Sequence, residues 1–346
     1  MKVLFFVYPW AMQSPGGGEI MLLKTKAALE KEGVYVKLFN QWEDKLNNYD
    51  ILHVFGGVKD CLGVMLTAKA MGIKVALSPI YWSTFQRAFF EDANPRKKAE
   101  IILRHLAKVA LPTMPSARRK MCLCADLLLP NSLLEAEQVS RLFSISPKKM
   151  QVIPLGVDES FANSQKNIFE EKYGIRDFAL SAGRIEPRKN QLNLIRALKN
   201  SGLTLVFIGN PVPEFKEYYQ KCRKLADKNT YFIDRIEHND PLLASAYAAC
   251  KVFVLQGWFE TPGLAALEAG LAGAKLAVTK AGATKEYFGD YAEYFNPGSS
   301  QSIRKAVLAA LKKPDNSGLA QQIKNHYLWK HTAQETIKAY KSLLKN

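Results

Sequence analysis

Several features that mark whole classes of protein are missing from the sequence. No apolar run among its 346 residues approaches the ~20 residues needed to cross a bilayer, so no transmembrane helix is predicted. No Asp-x-Asp, HExxH or GxSxG motif occurs, and the five histidines have no ligand spacing, which argues against a metal site and against a serine hydrolase. The five cysteines form neither an even framework nor a CxxC pair, which favours reduced thiols in a cytoplasmic protein.

The net charge is the one unusual feature of the composition. There are 48 Lys and Arg residues against 32 Asp and Glu, a net charge of +16. Hydrophobic residues make up 48% and charged residues 23%, as in a globular chain, and the length predicts two domains. A basic excess fits nucleic acid, an anionic membrane surface or a negatively charged small substrate. Part of it is local, because residues 84–120 hold nine basic and three acidic residues.

Short apolar runs alternate with amphipathic stretches along the whole chain, which is typical of βαβ units and parallel sheets. The first half predicts six strands, at residues 3–8, 34–39, 51–55, 75–77, 127–130 and 152–154. The pattern restarts with strands at residues 178–182, 203–208, 231–233, 252–255 and 275–279. Helices are predicted over residues 20–31 and 191–199, ended by Gly33 and Gly202. The apolar start resembles a short signal peptide, but Pro9 and the missing cleavage site favour a buried strand.

The two halves therefore predict two open α/β domains of similar size, with the break near residues 154–161. Open parallel sheets bind ligands at the carboxyl ends of their strands. Two such domains facing each other would form a substrate cleft, so the strand-to-helix loops are where chemistry is expected. His53 lies within a predicted buried strand and is interpreted as a core histidine.

The first such loop is Pro15-Gly16-Gly17-Gly18-Glu19. Three glycines after a first strand let backbone N–H groups approach an anion, with the positive end of the next helix behind them. The loop is neither a Walker A motif nor a GxGxxG fingerprint, and a flexible turn is the alternative interpretation.

The second loop, Gly183 to Asn190, follows the predicted strand at residues 178–182 and contains Arg184, Arg188 and Lys189. Guanidinium forks and a mobile ammonium both stabilise oxyanions, so this loop predicts a phosphate site. A solvated basic loop is the alternative.

The third loop runs from Trp258 into a predicted helix, with Thr261 as its N-cap, a proline after it at the first helical position, and Gly273 as its stop. Glu260 is expected at the positive end of this helix. Glu268 lies on its largely apolar body and needs a partner, because burying an unpaired carboxylate is costly. A sugar diol and a structural arginine or lysine are the two partners considered.

Taken together, the order and spacing of the sequence motifs resemble those of the retaining glycosyltransferases of family 4, the group 1 glycosyl transferases, over nearly the whole chain. The motifs that carry the resemblance are the glycine-rich loop ending in Glu19, Asp50-Ile51-Leu52-His53-Val54, Pro130-Asn131-Ser132, Ile153-Pro154-Leu155-Gly156-Val157-Asp158, Gly183-Arg184 with Lys189, the Glu260/Glu268 pair and Gly282-Ala283-Thr284-Lys285-Glu286. The resemblance implies the GT-B fold: two Rossmann-like, doubly wound parallel-sheet domains facing a central cleft. It implies an acceptor-side domain at residues 1–157, a nucleotide-sugar domain at 158–329, and a C-terminal helix at about 330–346 that packs back on the first.

The family's roles map onto residues already selected by their chemistry. The resemblance implies that Arg184 and Lys189 bind the diphosphate of a UDP- or GDP-linked sugar in place of a metal, so no metal or other cofactor is expected. Glu260 would hold the donor sugar and Glu268 the ribose hydroxyls. The remaining donor-binding residues implied are Gly263, Leu264, Gly16, Gly17, Gly18, Asn210 and Arg235.

Two departures from the family pattern stand out. Pro262 replaces a residue that has an N–H in many members, and the segment Leu77-Ser78-Pro79-Ile80-Tyr81-Trp82 has no histidine where many members have one. No nucleophile is evident, so front-face transfer is expected, with the leaving phosphate accepting the proton.

The basic segment at residues 84–120 interleaves its cations with Phe, Ile and Leu residues. Such a segment can lie on an anionic bilayer, and the alternative is an apolar stripe packed on the sheet with the charges in water. The residues assigned to the acceptor or membrane side are Ser78, Tyr81, Arg87, Arg118, Arg119 and Lys120.

The predicted activity is therefore metal-independent transfer of a sugar to a glycan, lipid-linked or polysaccharide acceptor in cell-envelope glycan synthesis, by a cytoplasmic protein that contacts the inner face of the membrane. A nucleotide-sugar-binding or epimerase-like GT-B protein without transfer activity is the alternative. A nucleic-acid-binding protein is the remote one, because the sequence has no RNP, KH or helix-turn-helix pattern.

Overall fold

The computed structural model describes residues 1–13, 16–83, 95–261, 263–314 and 317–345. The chain divides into two compact units. The first consists of Met1–Thr84, Ile102–Gly156 and Leu328–Asn346, and the second of Phe85–Ile101 and Val157–Tyr327. Each unit contains one parallel β-sheet, so the predicted α/β class with two doubly wound parallel sheets is confirmed.

The first unit is built on a five-stranded sheet. Its strands are β1 (Lys2–Phe6), β2 (Tyr35–Leu38), β3 (Ile51–Phe55), β4 (Lys74–Ser78) and β5 (Leu127–Leu128), in the order β2-β1-β3-β4-β5. The helices of this half of the chain are α1 (Gly17–Lys31), α2 (Leu62–Ala70), α3 (Pro95–Ala110), α4 (Ala117–Cys124) and α5 (Leu133–Phe143). β3 is buried along its whole length, as expected for a parallel strand covered on both faces.

The second unit is built on a six-stranded sheet. Its strands are β6 (Phe178–Ala182), β7 (Thr204–Ile208), β8 (Thr230–Ile233), β9 (Val252–Leu255), β10 (Lys275–Thr279) and β11 (Ala292–Phe295), in the order β11-β10-β9-β6-β7-β8. Its helices are α6 (Asn167–Tyr173), α7 (Gln191–Leu198), α8 (Lys216–Leu225), α9 (Pro241–Ala249), α10 (Leu264–Leu271), α11 (Thr284–Phe288), α12 (Ser300–Lys312) and α13 (Ser317–His326).

Each sheet has a point where the strand order reverses. In the first sheet β1 lies between β2 and β3, and in the second β6 lies between β7 and β9. The loops that leave two neighbouring strands at such a point run to opposite faces of the sheet, and a crevice opens between them at the carboxyl ends of the strands. The loops after β6 and β9 meet this condition, and so do the loops after β1 and β3.

The last helix, α14 (Trp329–Lys345), packs against α1 of the first unit. Its Tyr340 hydroxyl oxygen lies 2.5 Å from Nδ1 of His53, while Nε2 of the same ring lies 2.9 Å from the Ser78 hydroxyl. Burial lowers the pKa of His53 to about 3, so the ring is neutral at physiological pH. The interpretation of His53 as a satisfied core histidine is confirmed.

Several predicted elements differ from the structure. Residues 152–154 form no strand. The amides of Gln151 and Ile153 donate to the carbonyl oxygens of Leu128 and Pro130, but Pro130 and Pro154 have no N–H to extend a ladder. The strand predicted at residues 127–130 is for this reason only two residues long. β11 was not predicted, and the helix predicted from residue 20 begins at Gly17.

Among the described residues, no helix combines the length and the apolar character needed to cross a membrane.

Candidate functional site

The candidate site lies where β6 and β9 end side by side in the second sheet. The loop after β6 leads to α7, and the loop after β9 leads to α10. The two loops are tied together, because the amide of Trp258 donates to the carbonyl oxygen of Arg188 at 3.0 Å. Residues from two distant parts of the sequence therefore share one edge of the sheet.

The loop after β6 is held from both sides. The amide of Ile185 donates to Asn210 after β7, and a Cβ on Gly209 would lie 2.2 Å from the Gly183 carbonyl oxygen, so the two loops approach closely. On the other side, Asn190 adopts a left-handed conformation, and its side-chain nitrogen Nδ2 donates to the carbonyl oxygens of Gln256 and Pro297. These contacts fix the loop that carries the predicted phosphate-binding cations.

A buried carboxylate orders two of these cations. Glu186 Oε1 lies 3.7 Å from Arg184 and 3.2 Å from Arg188, with 42% and 32% of the two arginine side chains exposed. The Arg188 guanidinium also lies over the Phe259 ring, 5.7 Å from its centroid. Both guanidinium groups therefore have set positions while part of each stays open to solvent and to an anion. Glu186 was not predicted as part of the site.

The third cation contacts the predicted catalytic carboxylate. Lys189 Nζ lies 2.6 Å from Glu260 Oε1, with 21% and 6% of the two side chains exposed. Burial lowers the pKa of Lys189 below its ordinary value, and the neighbouring Glu260 carboxylate opposes that shift without cancelling it. The structure thus brings together two residues that the sequence separates by seventy positions and that the resemblance assigns to one site.

Two glycines make room for Glu260. A Cβ on Gly257 would lie 2.4 Å from the Glu260 carboxylate oxygen Oε1, and one on Gly282 would lie 1.9 Å from the Glu260 carbonyl oxygen. Glu260 and Gly282 form an isolated parallel bridge, in which the amide of Ala283 donates to Glu260 at 2.9 Å. The bridge fixes the backbone of Glu260 beside the end of β10.

Glu268 has two partners that the sequence analysis did not name. Its Oε2 accepts a hydrogen bond from the Tyr247 hydroxyl at 3.0 Å, and its Oε1 lies 2.9 Å from Nε2 of His238. Burial and the adjacent carboxylate raise the pKa of Tyr247 far above its ordinary value, so the phenol stays protonated and donates. The proposed arginine or lysine is thus replaced by a tyrosine and a histidine, while a sugar diol at this carboxylate stays a prediction.

The helix that carries Glu268 begins later than predicted. α10 starts at Leu264 with Gly263 as its N-cap, so the prediction of Thr261 as N-cap is wrong, while Pro262 lies outside the described residues. Gly263 has a φ of +96°, and a Cβ there would lie 2.5 Å from the Leu255 side chain. This left-handed turn redirects the chain after the Glu260 bridge, and only then can the helix begin. Gly273 has a φ of +93° just beyond the helix end, as predicted for its stop.

Asn210 and Arg235, which the resemblance assigns to donor binding, are adjacent. The amide of Arg235 donates to the Asn210 side-chain oxygen at 2.8 Å, at the carboxyl ends of β7 and β8. The Arg235 guanidinium lies 3.0 Å from Glu237 on the surface. Both residues are exposed at the same edge of the sheet as Lys189 and Glu260.

The glycine loop of the first unit is already helical. Gly17 and Gly18 form the first turn of α1, so their prediction as loop residues is wrong, and Gly16 is the N-cap. The Glu19 carboxylate accepts hydrogen bonds from the Gly16 amide at 2.7 Å and from the Tyr8 hydroxyl at 3.0 Å. A Cβ on Gly17 would meet nothing within 4 Å. The helix N-terminus with its positive end is present where the loop was predicted to bind an anion.

The segment after β4 is clamped by helix α5. The buried Glu135 carboxylate accepts from the amides of Tyr81 and Asn131, both at 2.7 Å, and Gln138 exchanges two hydrogen bonds with the backbone of Ser83. Ile80, just before Tyr81, has a φ of +44°, which is strained for a β-branched residue. The segment that lacks the family's histidine is therefore held in an unusual conformation by a neighbouring helix.

The other residues assigned to the acceptor or membrane side are scattered. Ser78 is buried against His53, whereas the Arg118 guanidinium lies 5.3 Å from the Tyr81 ring centroid and donates to the Gly57 carbonyl oxygen at 3.0 Å. Arg119 donates to the Phe143 carbonyl oxygen, Lys120 is exposed, and Arg87 lies outside the described residues. Tyr81 and Arg118 are thus the two that the fold brings together.

Glu186, Asn190, His238 and Tyr247 are the site residues that sequence reasoning missed. Each acts by holding a predicted residue or loop in place, and such roles depend on contacts between segments far apart in the chain. Gly257 and Gly282 carried a signal, because each follows the end of a strand, where a glycine marks close backbone approach. Within the part of the chain that the structure describes, no three His, Cys, Asp or Glu side chains form a group able to hold a metal ion.

Comparison with known proteins finds similarity in the part of the chain that carries this site. Residues 163–329 match the family model described as glycosyl transferases group 1. The D-inositol 3-phosphate glycosyltransferase of Stackebrandtia nassauensis is 29% identical over 241 residues, 62% of this chain and 54% of that protein. The serotype-specific mannosyltransferase WbdA of Escherichia coli is 29% identical over 244 residues, 64% of this chain and 29% of that protein. The chain thus spans about half, or less, of the length of these curated relatives.

Solved structures agree with the fold. The sucrose-phosphate synthase of Thermosynechococcus elongatus superposes with a TM-score of 0.79 at 13% identity, and the match covers the whole of both chains. Anabaena HepE, solved in complex with UDP and glucose, gives a TM-score of 0.71 at 17% identity over 99% of this chain and 100% of that one. The fold is that of the GT-B glycosyltransferases, and the match to the group 1 glycosyl transferases covers residues 163–329 of this chain.

Proposed function

We propose that the protein transfers a sugar from a nucleoside diphosphate sugar to a glycan or lipid-linked acceptor, with retention of the anomeric configuration and without a metal ion. The contact between Lys189 and Glu260 carries this proposal. It places an ammonium and a carboxylate 2.6 Å apart at the switch point of the second sheet, between two ordered arginines and the N-terminus of α10. A diphosphate needs cations and a sugar needs a hydrogen-bond acceptor, and this edge offers both.

The residues have separate tasks. Arg184 and Lys189 bind the diphosphate, and they neutralise the charge that develops as it leaves. Glu260 accepts hydrogen bonds from the donor sugar. Glu268 accepts them from the ribose hydroxyls with the lone pairs that Tyr247 and His238 leave open, and Asn210 with Arg235 flanks the base. The backbone N–H groups at Gly263 and Leu264 face the phosphates from the start of α10.

The reaction exchanges one bond to the anomeric carbon for another. The bond from that carbon to the diphosphate oxygen breaks, and a bond to the acceptor hydroxyl oxygen forms on the same face. The acceptor proton moves to the departing phosphate oxygen, so no separate base is required. The names of the relatives support sugar transfer, and the HepE structures support a uridine nucleotide at this kind of site. A role in cell-envelope glycan synthesis is part of the same proposal, and the name of the serotype-specific mannosyltransferase WbdA supports transfer of a hexose.

The test is nucleotide binding followed by donor hydrolysis. UDP, GDP and their hexose conjugates are added singly, and a good ligand at 100 times its Kd raises the free energy of unfolding by about 2.7 kcal/mol. Lys189→Ala should weaken that binding at least tenfold, because it removes a cation from the diphosphate. Lys251→Ala is the matched control. Lys251 Nζ lies 2.9 Å from Asp177 Oδ1, where β9 and β6 begin, at the other edge of the sheet from Lys189.

Five outcomes count against the proposal. If no nucleotide or nucleotide sugar stabilises the protein, or if both lysine variants weaken binding equally, the site is elsewhere. If the nucleotide sugar binds but neither the native protein nor Glu260→Gln hydrolyses it faster than buffer alone, the binding-only or epimerase-like alternative is favoured. Product of inverted configuration by NMR would exclude retention, and loss of activity on dialysis against EDTA would exclude metal independence.

We also propose that helix α3 contacts an anionic membrane surface from the cytoplasmic side. None of its residues is buried, and Leu103 and Leu106 are 64% and 54% exposed on one face. The same helix holds five Lys and Arg residues and one Glu. Exposed leucines beside cations suit the boundary of an anionic bilayer, where each cation adds about 1 kcal/mol of attraction.

Sedimentation with phosphatidylglycerol vesicles tests this contact. The double variant Leu103→Ser, Leu106→Ser should lose vesicle binding without loss of fold, because both side chains already face solvent. Leu133→Ser on α5, where the leucine is 63% exposed, is the control and should bind as the native protein does. Equal sedimentation with and without the anionic lipid would remove this partner from the proposal.

A further inference from the structure

Two tryptophans are exposed on neighbouring loops of the first unit. Trp42 is 86% exposed in the loop after β2, and Trp10 is 55% exposed in the loop after β1. β1 and β2 are parallel neighbours, so both loops leave the same edge of the sheet. This is also the edge where α1 begins with Gly16–Gly18.

The loop that carries Trp42 is rigid. The Asp44 carboxylate accepts hydrogen bonds from the Asn40 amide, the Lys37 ammonium and the Tyr49 hydroxyl, at 2.8, 2.8 and 3.0 Å. The amide of Trp42 itself donates to the Asn40 side-chain oxygen at 3.1 Å, and the amides of residues 43 and 44 close the turn on the Asn40 carbonyl oxygen. The exposed indole therefore belongs to a well-ordered turn. The turn fixes the backbone of Trp42, so only the rotation of its side chain is lost when a ligand covers the ring.

The loop that carries Trp10 is ordered as well. The Trp10 ring packs edge-on against Tyr8, with 5.4 Å between the ring centroids, and the Tyr8 hydroxyl donates to Glu19 in the first turn of α1. The two loops are linked at their base, where the Phe6 and Phe39 rings are 5.6 Å apart and the Phe39 amide donates to Phe5. The two loops that carry the tryptophans are therefore joined at their base.

The charge near Trp10 and Trp42 indicates which kind of ligand covers them. Residues 7–13 contain no charged side chain, and residues 40–48 contain Glu43 and Asp44 against Lys45 alone. In a chain of net charge +16, this edge is neutral to acidic, which does not suit an anionic bilayer or a nucleic acid. The same segment contains the uncharged amide side chains of Asn40, Gln41, Asn47 and Asn48.

We propose that Trp42 and Trp10 form a binding platform for a neutral saccharide chain. The apolar C–H face of a pyranose ring stacks on an indole, and its hydroxyls hydrogen-bond to the amide side chains beside it. Two indoles on adjacent loops suit a chain of several sugars rather than a monosaccharide. That this chain is the acceptor rests on the proposed sugar transfer, whereas the binding itself does not.

Native gel electrophoresis through mannan, dextran and glycogen tests the platform. At least one of the three polysaccharides should retard the native protein, and Trp42→Ala should raise the apparent Kd about tenfold. Trp42→Tyr, which keeps an aromatic face, should retain most of the binding. Tyr35→Ala is the matched control, because Tyr35 is 55% exposed at the opposite end of β2.

The outcomes separate this inference from the proposed function. Retardation by none of the three polysaccharides, or equal retardation of the native protein and Trp42→Ala, overturns the platform. A blue shift of tryptophan fluorescence with phosphatidylglycerol vesicles that is lost in Trp42→Ala would assign the ring to a bilayer and also overturn it. Stabilisation by UDP should be the same in Trp42→Ala and the native protein, because the nucleotide residues lie in the second unit; failure of that stabilisation in the native protein would refute sugar transfer while leaving the platform in place.

Discussion

Gly282 and Gly273 offer a paired test of whether the position of Glu260 decides activity. Both glycines have a left-handed φ, +102° and +93°, and they flank the two ends of β10. An alanine at either position is strained by roughly 1 to 2 kcal/mol. At Gly273 there is nothing else within 4 Å of the new Cβ, so Gly273→Ala should lower the free energy of unfolding by that amount and leave catalysis intact.

At Gly282 the new Cβ would lie 1.9 Å from the Glu260 carbonyl oxygen, against the 3.4 Å of ordinary contact. Either the bridge to Gly282 breaks or the Glu260 backbone moves by about 1.5 Å, and the carboxylate then leaves its position 2.6 Å from Lys189. Displacement of a catalytic group by about 1 Å can reduce the rate ~100-fold. Gly282→Ala should therefore hydrolyse donor at least about 100-fold more slowly than Gly273→Ala.

The two variants are compared by urea unfolding and by initial rates of donor hydrolysis, at a temperature where both are folded. Unfolding shows how much of any loss is due to stability alone. If Gly282→Ala remains folded and hydrolyses donor as fast as Gly273→Ala, the placement of Glu260 by the bridge does not matter and its assigned role is wrong.

Three further predictions concern buried polar groups. Tyr247→Phe should lower the free energy of unfolding by about 2 kcal/mol in urea, because a buried hydrogen bond to a carboxylate is lost, and an unchanged midpoint would contradict the Glu268 contact. Glu135→Ala should cost roughly 3 kcal/mol, because two buried amides lose their acceptor, whereas Glu137→Ala on the exposed face of the same helix should be nearly neutral. The pKa of His53 is about 3 in the folded protein and 6.5 is its ordinary value, so the unfolded state binds the extra proton below pH 6.5. The stability that this group contributes is complete well above pH 6.5 and falls by roughly 3 kcal/mol on acidification to pH 4.5, and His53→Gln should lack this part of the fall in chemical denaturation.

The fold was largely predictable because parallel strands between helices leave a local pattern. Nearly all strands of both sheets appear as short apolar runs, and the stops at Gly33, Gly202 and Gly273 coincide with left-handed glycines. The predictions failed where a backbone partner was decisive. Residues 152–154 look like a strand, but Pro130 and Pro154 have no N–H to extend a ladder there. β11, Ala292–Phe295, contains a glutamate among its four residues and does not stand out as an apolar run.

By itself, the sequence determined which chemical groups reach the carboxyl ends of the strands: the cations from Arg184 to Lys189, and the two carboxylates Glu260 and Glu268. Only the tertiary structure decided their partners. Lys189 meets Glu260 because β6 and β9, far apart in the chain, are neighbours in the sheet. Glu268 is satisfied by Tyr247 and His238 because α9 and the loop after β8 pack beside α10. A local pattern records how each segment folds, whereas the environment of a buried charge depends on which distant segments pack around it.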